Sequence, residues 1–331
     1  MYSGQNNKKK GGALSTHYPR LVADIGGTYS RFAVQRSTHL KLTDIQTYEN
    51  KNFHSFASVI HAYLSHIDCR PRYATLAIAA AISGEQVIAA NIGWPFSRTA
   101  LQDTFQFTQL MVLNDFTALA LALPQLLSDE YQQIGRGIPL PNRPLALIGP
   151  GTGLGVSALI PAPNGQWIPL QGEGGHISLP SMNNKEAELI QIIRQTHPHV
   201  SAERLLCGAG LPNLYHAMAT LYAQTAKMLT ARDIIQHALD NTCQICTDVL
   251  DTFCAMLGTV AGNLAMTLGA QGGLYLGGGI IPLLGTYFTH SPFRSRFEEK
   301  GRLHAYLAEI PTYVITANNP ALRGAAAALM L

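Results

Sequence analysis

Residues 145–160 read LALIGPGTGLGVSALI: an apolar strand, a tight turn in which glycines alternate around Thr152, and a second apolar strand. Residues 21–35, LVADIGGTYSRFAVQ, repeat that layout in the other half of the chain. Glycine lets a backbone come close to a bulky anion and turn its N–H groups toward it, and a threonine adds a hydroxyl donor. A Gly-rich β-turn standing alone is most often structural. Two of them, each carrying a threonine between apolar strands, point to a nucleotide phosphate tail gripped from both sides of a cleft.

Better-known phosphate loops do not fit. A P-loop needs G-x-x-x-x-G-K-[ST], and the chain offers no such lysine. A Rossmann turn needs G-x-G-x-x-G leading into a helix, whereas Gly149, Gly151, Gly153 and Gly155 alternate and lead into a β-pattern over 156–160. Glu173 sits at about the spacing of a ribose-binding acid, but in a Gly-rich loop.

Working outward, Asp24 is the acid of the first turn. It reads either as a turn-forming Asx residue or as a carboxylate holding Mg²⁺ through water. Asp115 follows a short buried strand (110–113) and precedes a helical run (116–123) that Pro124 disrupts. It reads either as a helix N-cap or as a proton acceptor at the strand end where α/β proteins place ligands. The two are compatible, since a helix N-terminus favours a carboxylate. Asn114 beside it can donate to and accept from a hydroxyl-rich ligand. Glu173 and His176 bracket a Gly-Gly turn, and Glu203 is either a first-turn helix acid or part of the same cluster. Together Asn114, Asp115, Glu173, His176 and Glu203 supply the mixture a polyhydroxylated sugar requires.

Composition narrows the partners. The chain has 331 residues, 47% hydrophobic and 13% charged, enough for a substantial core in two lobes. Its formal charge of +3 comes from the first twenty residues, where Lys8, Lys9, Lys10 and Arg20 meet no acid. The remainder holds 19 basic against 20 acidic side chains, so no basic face suggests nucleic acid. The Gly/Asn/Lys-rich start reads as a disordered basic tail and not a signal peptide, because it has no apolar core. Residues 118–127, read as the most apolar stretch, are interrupted by Pro124 and too short to span a bilayer, so no membrane association is expected. Five cysteines argue against a closed disulfide set. Cys243 and Cys246 have redox or zinc-like spacing, yet lie in a helical pattern with no second Cys/His pair, so they read as two partly buried thiols on one helix side.

Elsewhere strands are expected near 41–48, 73–81, 86–91 (the last two joined by a turn at Ser83-Gly84), 273–276 and 312–316. Helices are expected over 53–67, 185–195, 201–206, 211–225 and 232–268, with a last one started by Asn318-Asn319-Pro320. The alternation indicates an α/β fold with the two hairpins as a distant internal repeat.

In order, and across nearly the whole chain beyond the tail, six segments resemble bacterial ATP-dependent glucokinases. They are 21–34, LNDFTA at 113–118, 149–155, GEGGH at 172–176, VSAER at 200–204 and LGGGI at 276–280. The resemblance implies the two-lobed actin/hexokinase-like ATPase fold, with a ribonuclease H-like motif in each lobe and a central cleft. The implied division is a tail of 1–20, a small α/β domain of 21–125 with 316–331, and a large α/β domain of 126–315. Asp115 would be the base for the 6-hydroxyl of D-glucose, with Asn114, Glu173, His176 and Glu203 on the other hydroxyls. Ala23, Asp24, Ile25, Gly26, Gly27 and Thr28 would form one ATP phosphate turn, and Gly151, Thr152 and Gly153 the other. Gly277, Gly278 and Gly279 would let the backbone approach the adenosine. ATP with Mg²⁺, no zinc, a cytoplasmic location and a homodimer are likewise implied. Ala81 stands where relatives usually have proline, in a turn that lines the sugar side, so sugar selectivity is open to change. Rival readings are a kinase for mannose, fructose or N-acetylmannosamine, an ATP-switched assembly or chaperone protein, and a sugar-responsive repressor. The last would need a DNA-binding module that the short tail does not offer.

Overall fold

The two apolar strands of the first hairpin become β1 (Arg20–Ile25) and β2 (Tyr29–Gln35), paired antiparallel. The computed structural model describes residues 19–37, 41–80, 82, 84–89 and 93–328. The first eighteen residues of the expected 1–20 tail, Ala81, and the expected turn at Ser83 therefore lie outside the described residues, while Arg20, the last of that tail, is instead the buried first residue of β1. Contacts divide the rest into two compact units. The first holds the described residues up to Leu113 and those from Leu322 onward; the second is Asn114–Ala321.

In the first unit β3 (Leu42–Glu49) extends the hairpin on one side, and β4 (Tyr73–Ile78) lies parallel to β1 on the other. α1 (Phe56–Leu64) is shorter than its apolar pattern because Ser55 caps it. The Ser55 hydroxyl accepts from the Ser58 N–H, while the Ser58 hydroxyl accepts from the Ser55 N–H. Side chains alternate along a strand. Leu21, Ala23 and Ile25 therefore share the buried face with Phe32, Val34, Leu76 and Ile78, and α1 covers them with Val59, Ile60 and Tyr63. Phe32 and Tyr63 stack with centroids 5.0 Å apart. Asp24, one residue out of phase, is thereby turned away from this core. β5 (Gln86–Ala89) pairs with β6 (Trp94–Ser97) as a separate ribbon, not with β4 as a neighbouring sheet strand. α2 (Arg98–Phe105) and β7 (Gln109–Asn114) follow, and the sheet order is β3-β2-β1-β4-β7.

The second unit opens with α3 (Asp115–Ala122), which packs on the hairpin of that unit and so belongs with it. Then come β8 (Tyr131–Ile134), β9 (Leu145–Pro150), β10 (Leu154–Pro161) and β11 (Trp167–Leu170). α4 (Asn184–Arg194), α5 (Ala202–Leu205), α6 (Gly210–Leu221), α7 (Ala231–Leu239) and α8 (Gln244–Leu268) lead to β12 (Gly273–Leu276). Four short helices, α9 (Ile280–Leu284), α10 (Thr286–His290), α11 (Phe293–Glu298) and α12 (His304–Ala308), precede β13 (Thr312–Ile315). Returning to the first unit, α13 (Pro320–Ala328) starts on Pro320, whose missing N–H costs nothing in a first turn.

The second sheet runs β11-β10-β9-β12-β13-β8. Its first four strands repeat β3-β2-β1-β4: three antiparallel neighbours, then a parallel one. The internal repeat is therefore one of topology and not only of turns.

Two helical expectations change. The pattern over 232–268 is two helices, α7 and α8, because Cys243 caps the second from an extended conformation. Cys243 thus caps α8 and Cys246 lies in its first turn, with the two thiols in contact on one side of the helix start. Burial, with the neighbouring Cys243 thiol, pushes Cys246 up to about 12, far from thiolate chemistry. α8, not 118–127, is the helix long and apolar enough to cross a membrane among the described residues, but 78% of its most apolar window is buried in the unit. It forms the centre of the second core with Val249, Leu250, Phe253 and Leu257. Gly262 admits α11 closely; a Cβ there would lie 2.7 Å from the Phe297 carbonyl oxygen.

Candidate active site

β7 ends where α3 begins, and the cap of that helix is Asn114, not Asp115. Asn114 Oδ1 accepts from the N–H groups of Phe116 at 2.8 Å and Thr117 at 3.2 Å, worth about 1 kcal/mol for a cap of this type. Asp115 is the first helical residue, and its Oδ1 also accepts from the Phe116 N–H, at 2.9 Å. The carboxylate is half-buried, at the end of the helix dipole that favours an anion.

The next residue fixes its position. The Phe116 ring packs where two glycines of the β9–β10 hairpin, Gly149 and Gly155, leave room for it. A Cβ on Gly149 would lie 2.7 Å from Phe116 Cζ, one on Gly277 would lie 3.7 Å from Cε1, and one on Gly155 would overlap the ring itself. Asp115 is thus keyed to the β9–β10 hairpin by its neighbour.

The same hairpin holds Glu203. Glu203 Oε2 accepts from the Leu154 N–H at 2.8 Å, and a Cβ on Gly153 would lie 2.5 Å from that oxygen. Its Oε1 lies 3.7 Å from His176 Nε2. His176 closes a short 3-10 turn, donating its backbone N–H to the Glu173 carbonyl. Gly174 and Gly175 in that turn press on β10, where a Cβ would meet Val156 and Leu154. Glu173 and His176 stay exposed.

Gly151 and Thr152 sit at the tip. The Gly151 N–H donates to the Gly153 carbonyl and the Gly208 N–H to the Gly151 carbonyl, both at 2.8 Å. A Cβ on Gly151 would meet nothing nearer than 3.9 Å, so the tip has room above it. Gly278, at φ +79°, presses on the Pro150 carbonyl, while Gly279 faces open space. Within this unit the structure brings together Asn114, Asp115, Glu203, His176, Glu173, the 151–153 tip and the 277–279 run.

The other Gly turn lies in the first unit. The Gly26 N–H donates to the Tyr29 carbonyl, and Asn50 braces the bend: its Nδ2 donates to the Gly26 carbonyl at 2.8 Å and its Oδ1 accepts from Ser30 Oγ at 2.7 Å. Asn50 carries no motif signal in the sequence; only its burial at 5% exposure marks it. Ala23 and Ile25 are buried in the core, Thr28 is exposed, and Asp24 faces Arg31 at 3.4 Å. Burial raises the Asp24 carboxyl above its usual range, with Arg31 opposing the shift.

A sequence model of the glucokinase family matches residues 21–331. The chain is 48% identical over 317 residues to the glucokinase of Aromatoleum aromaticum, covering 95% of this chain and 96% of that protein. The chain belongs to the glucokinase family. Among solved structures, a glucokinase from an Antarctic psychrotroph is 39% identical with a TM-score of 0.84, over 94% of this chain and 98% of that one. A ROK family glucokinase from Streptomyces griseus, solved with glucose and AMPPNP, is 15% identical with a TM-score of 0.62, over 93% of this chain and 98% of that one. That second likeness is one of fold. As a member of the glucokinase family the chain is an ATP-dependent sugar kinase of actin/hexokinase-like α/β architecture.

The buried acid of the first turn has a thermodynamic signature in such a kinase. With its folded pKa above the unfolded one, the folded state holds the Asp24 proton more tightly. Asp24 therefore subtracts stability as pH rises from the ordinary carboxylate range through the raised value. Asp24→Asn is expected to raise Tm at neutral pH, with the gain shrinking as pH falls toward 4. Scanning calorimetry at the two pH values checks this; a gain that grows in acid contradicts it.

Proposed function

We propose that the chain transfers the γ-phosphoryl group of ATP to the 6-hydroxyl of D-glucose, giving D-glucose 6-phosphate and ADP. The observation that carries this reading is the shared hairpin: β9–β10 anchors Asp115 through Phe116 and Glu203 through Leu154, next to an open glycine tip. A carboxylate suited to a hydroxyl proton and a carboxylate–imidazole pair suited to further hydroxyls are thus held by one rigid element beside a phosphate-sized turn.

The Asp115 carboxylate, one oxygen of which accepts from the Phe116 N–H, takes the sugar proton. An aspartate, with an ordinary pKa near ~4, is a moderate base. That suffices where the transition state is loose and the proton leaves late, so orienting the hydroxyl in line with phosphorus is the larger contribution. Glu203 and His176, with Glu173 and the donating Nδ2 of Asn114, hold the remaining hydroxyls. Ala23, Asp24, Ile25, Gly26, Gly27 and Thr28, together with Gly151, Thr152 and Gly153, serve the phosphates, and Gly277, Gly278 and Gly279 the adenosine.

Mg²⁺ fits the donor set. Among the described residues no three His, Cys, Asp or Glu side chains gather to hold a metal, but magnesium needs only one or two carboxylates beside phosphate oxygens and water. Asp24, mostly buried beside a Gly turn, is that carboxylate. When bound, the ion supplies charge neutralisation on the phosphates. The reading includes a cytoplasmic location and a homodimer, as the family resemblance implies.

His176→Ala and Glu173→Gln are expected to raise the glucose KM by about tenfold or more, with kcat changed far less, because they remove ground-state hydroxyl contacts. Steady-state kinetics on both variants checks this; an unchanged KM contradicts the sugar-holding role. The proposal as a whole is tested by a panel of glucose, mannose, fructose and N-acetylmannosamine with ATP and Mg²⁺, following ADP release and identifying the phosphorylated carbon. Glucose phosphorylated at carbon 6 with the highest kcat/KM is expected. Preference for another hexose overturns the glucose assignment.

A further inference from the structure

The first unit holds a cavity that the kinase reading does not use. It opens between the end of α1, the segment entering β4 and the end of α2, with a volume of about 640 Å³, inside the roughly 300–1,000 Å³ range of small-molecule sites. β4 runs from Tyr73, level with Arg20, to Ile78, level with Ile25 at the Gly turn. At about 3.3 Å per residue, Arg72 on the cavity rim is roughly 20 Å along the strand from that turn. The two sites are at opposite ends of the sheet.

Arg70 and Arg72 both line the cavity, on either side of a buried Pro71. Proline pushes the residue before it into extended backbone, and two like charges contribute to the lining of one space. Neither guanidinium has an acidic partner among the described residues, and no carboxylate is part of the lining. By contrast Arg31, Arg36, Arg294 and Arg296 each face a carboxylate. His61 and Gln106 add donors, and Leu64 and Phe105 form an apolar wall, with the Phe105 ring stacked on Phe107 at 5.6 Å.

We propose that this cavity binds a phosphate monoester, its dianion taken by the guanidiniums of Arg70 and Arg72 and its organic group laid against Leu64 and Phe105. Arginine's planar fork matches phosphate oxygens in pairs, and two cations facing one space with no carboxylate between them call for a doubly charged anion.

Cys69 lines the same cavity and is half-buried, which gives a local readout independent of catalysis. Burial raises its thiol, so labelling with N-ethylmaleimide is run at mildly alkaline pH. The rate at Cys69 is followed by peptide mass with and without millimolar glucose 6-phosphate, itself a phosphate monoester. At least a threefold slowing is expected at Cys69 alone, lost in the Arg70→Gln/Arg72→Gln double variant, whose basal turnover stays near wild type. Equal rates with and without the monoester overturn the proposal, as does protection that survives the double substitution. Protection by inorganic phosphate as strong as by the monoester overturns the role given to Leu64 and Phe105.

Discussion

Asp115→Asn is expected to cut kcat for glucose phosphorylation by about 10³-fold, within the range of general-base contributions, while glucose affinity changes less than about threefold. The asymmetry follows from the local geometry. An asparagine Oδ1 can still accept from the Phe116 N–H, and the Asn114 cap is untouched, so α3 keeps its start and Phe116 its slot. Only the proton acceptor is removed. Calorimetric glucose titration and steady-state kinetics on one preparation separate the outcomes. Near-normal turnover, or loss of binding together with rate in a folded variant, contradicts the assigned role.

Gly155→Ala is expected to be nearly as severe, although it adds one methyl group and removes no functional atom. That methyl would occupy the space of the Phe116 ring, whose far edge already lies close against Gly149. Overpacking of this kind costs about 1–3 kcal/mol. Relief requires Phe116 to leave its slot, taking Asp115 with it, and a misplacement near ~1 Å costs roughly 10²-fold in rate. Phe116→Leu in the same chain shortens the wedge and is expected to return part of the lost Tm. Kinetics and thermal melts of the single and double variants read this. Wild-type kcat and Tm for Gly155→Ala would remove Phe116 from the account.

Much of this was legible before any coordinates. The two apolar strands over 21–35 announce the first hairpin, with Asp24 as the one acid in its first strand, and the repeated layout at 145–160 announces the second sheet. What the glycines are for was less legible. Gly151 and Gly153 read as phosphate-contacting, yet Gly153 also makes room for the Glu203 carboxylate, and Gly149 and Gly155, given no role of their own in the sequence, make room for an aromatic ring. A glycine that admits a ligand and one that admits a side chain leave the same letter. Asn114 and Asp115 are both good caps, and only the extended backbone at 114 decides between them. Asn50 acts on a bend more than twenty residues away, a distance no local pattern reports. β8, β11 and α9–α12 are too short for periodicity to separate them from loops.

A crystal structure of the protein with glucose and AMPPNP tests the central claim most directly. An Asp115 carboxylate oxygen is expected within about 2.6–3.2 Å of the sugar O6, with Glu173, His176 and Glu203 on the other hydroxyls and the 151–153 tip against the phosphates. Glucose bound with O6 out of reach of Asp115, or away from Glu203 and His176, contradicts it.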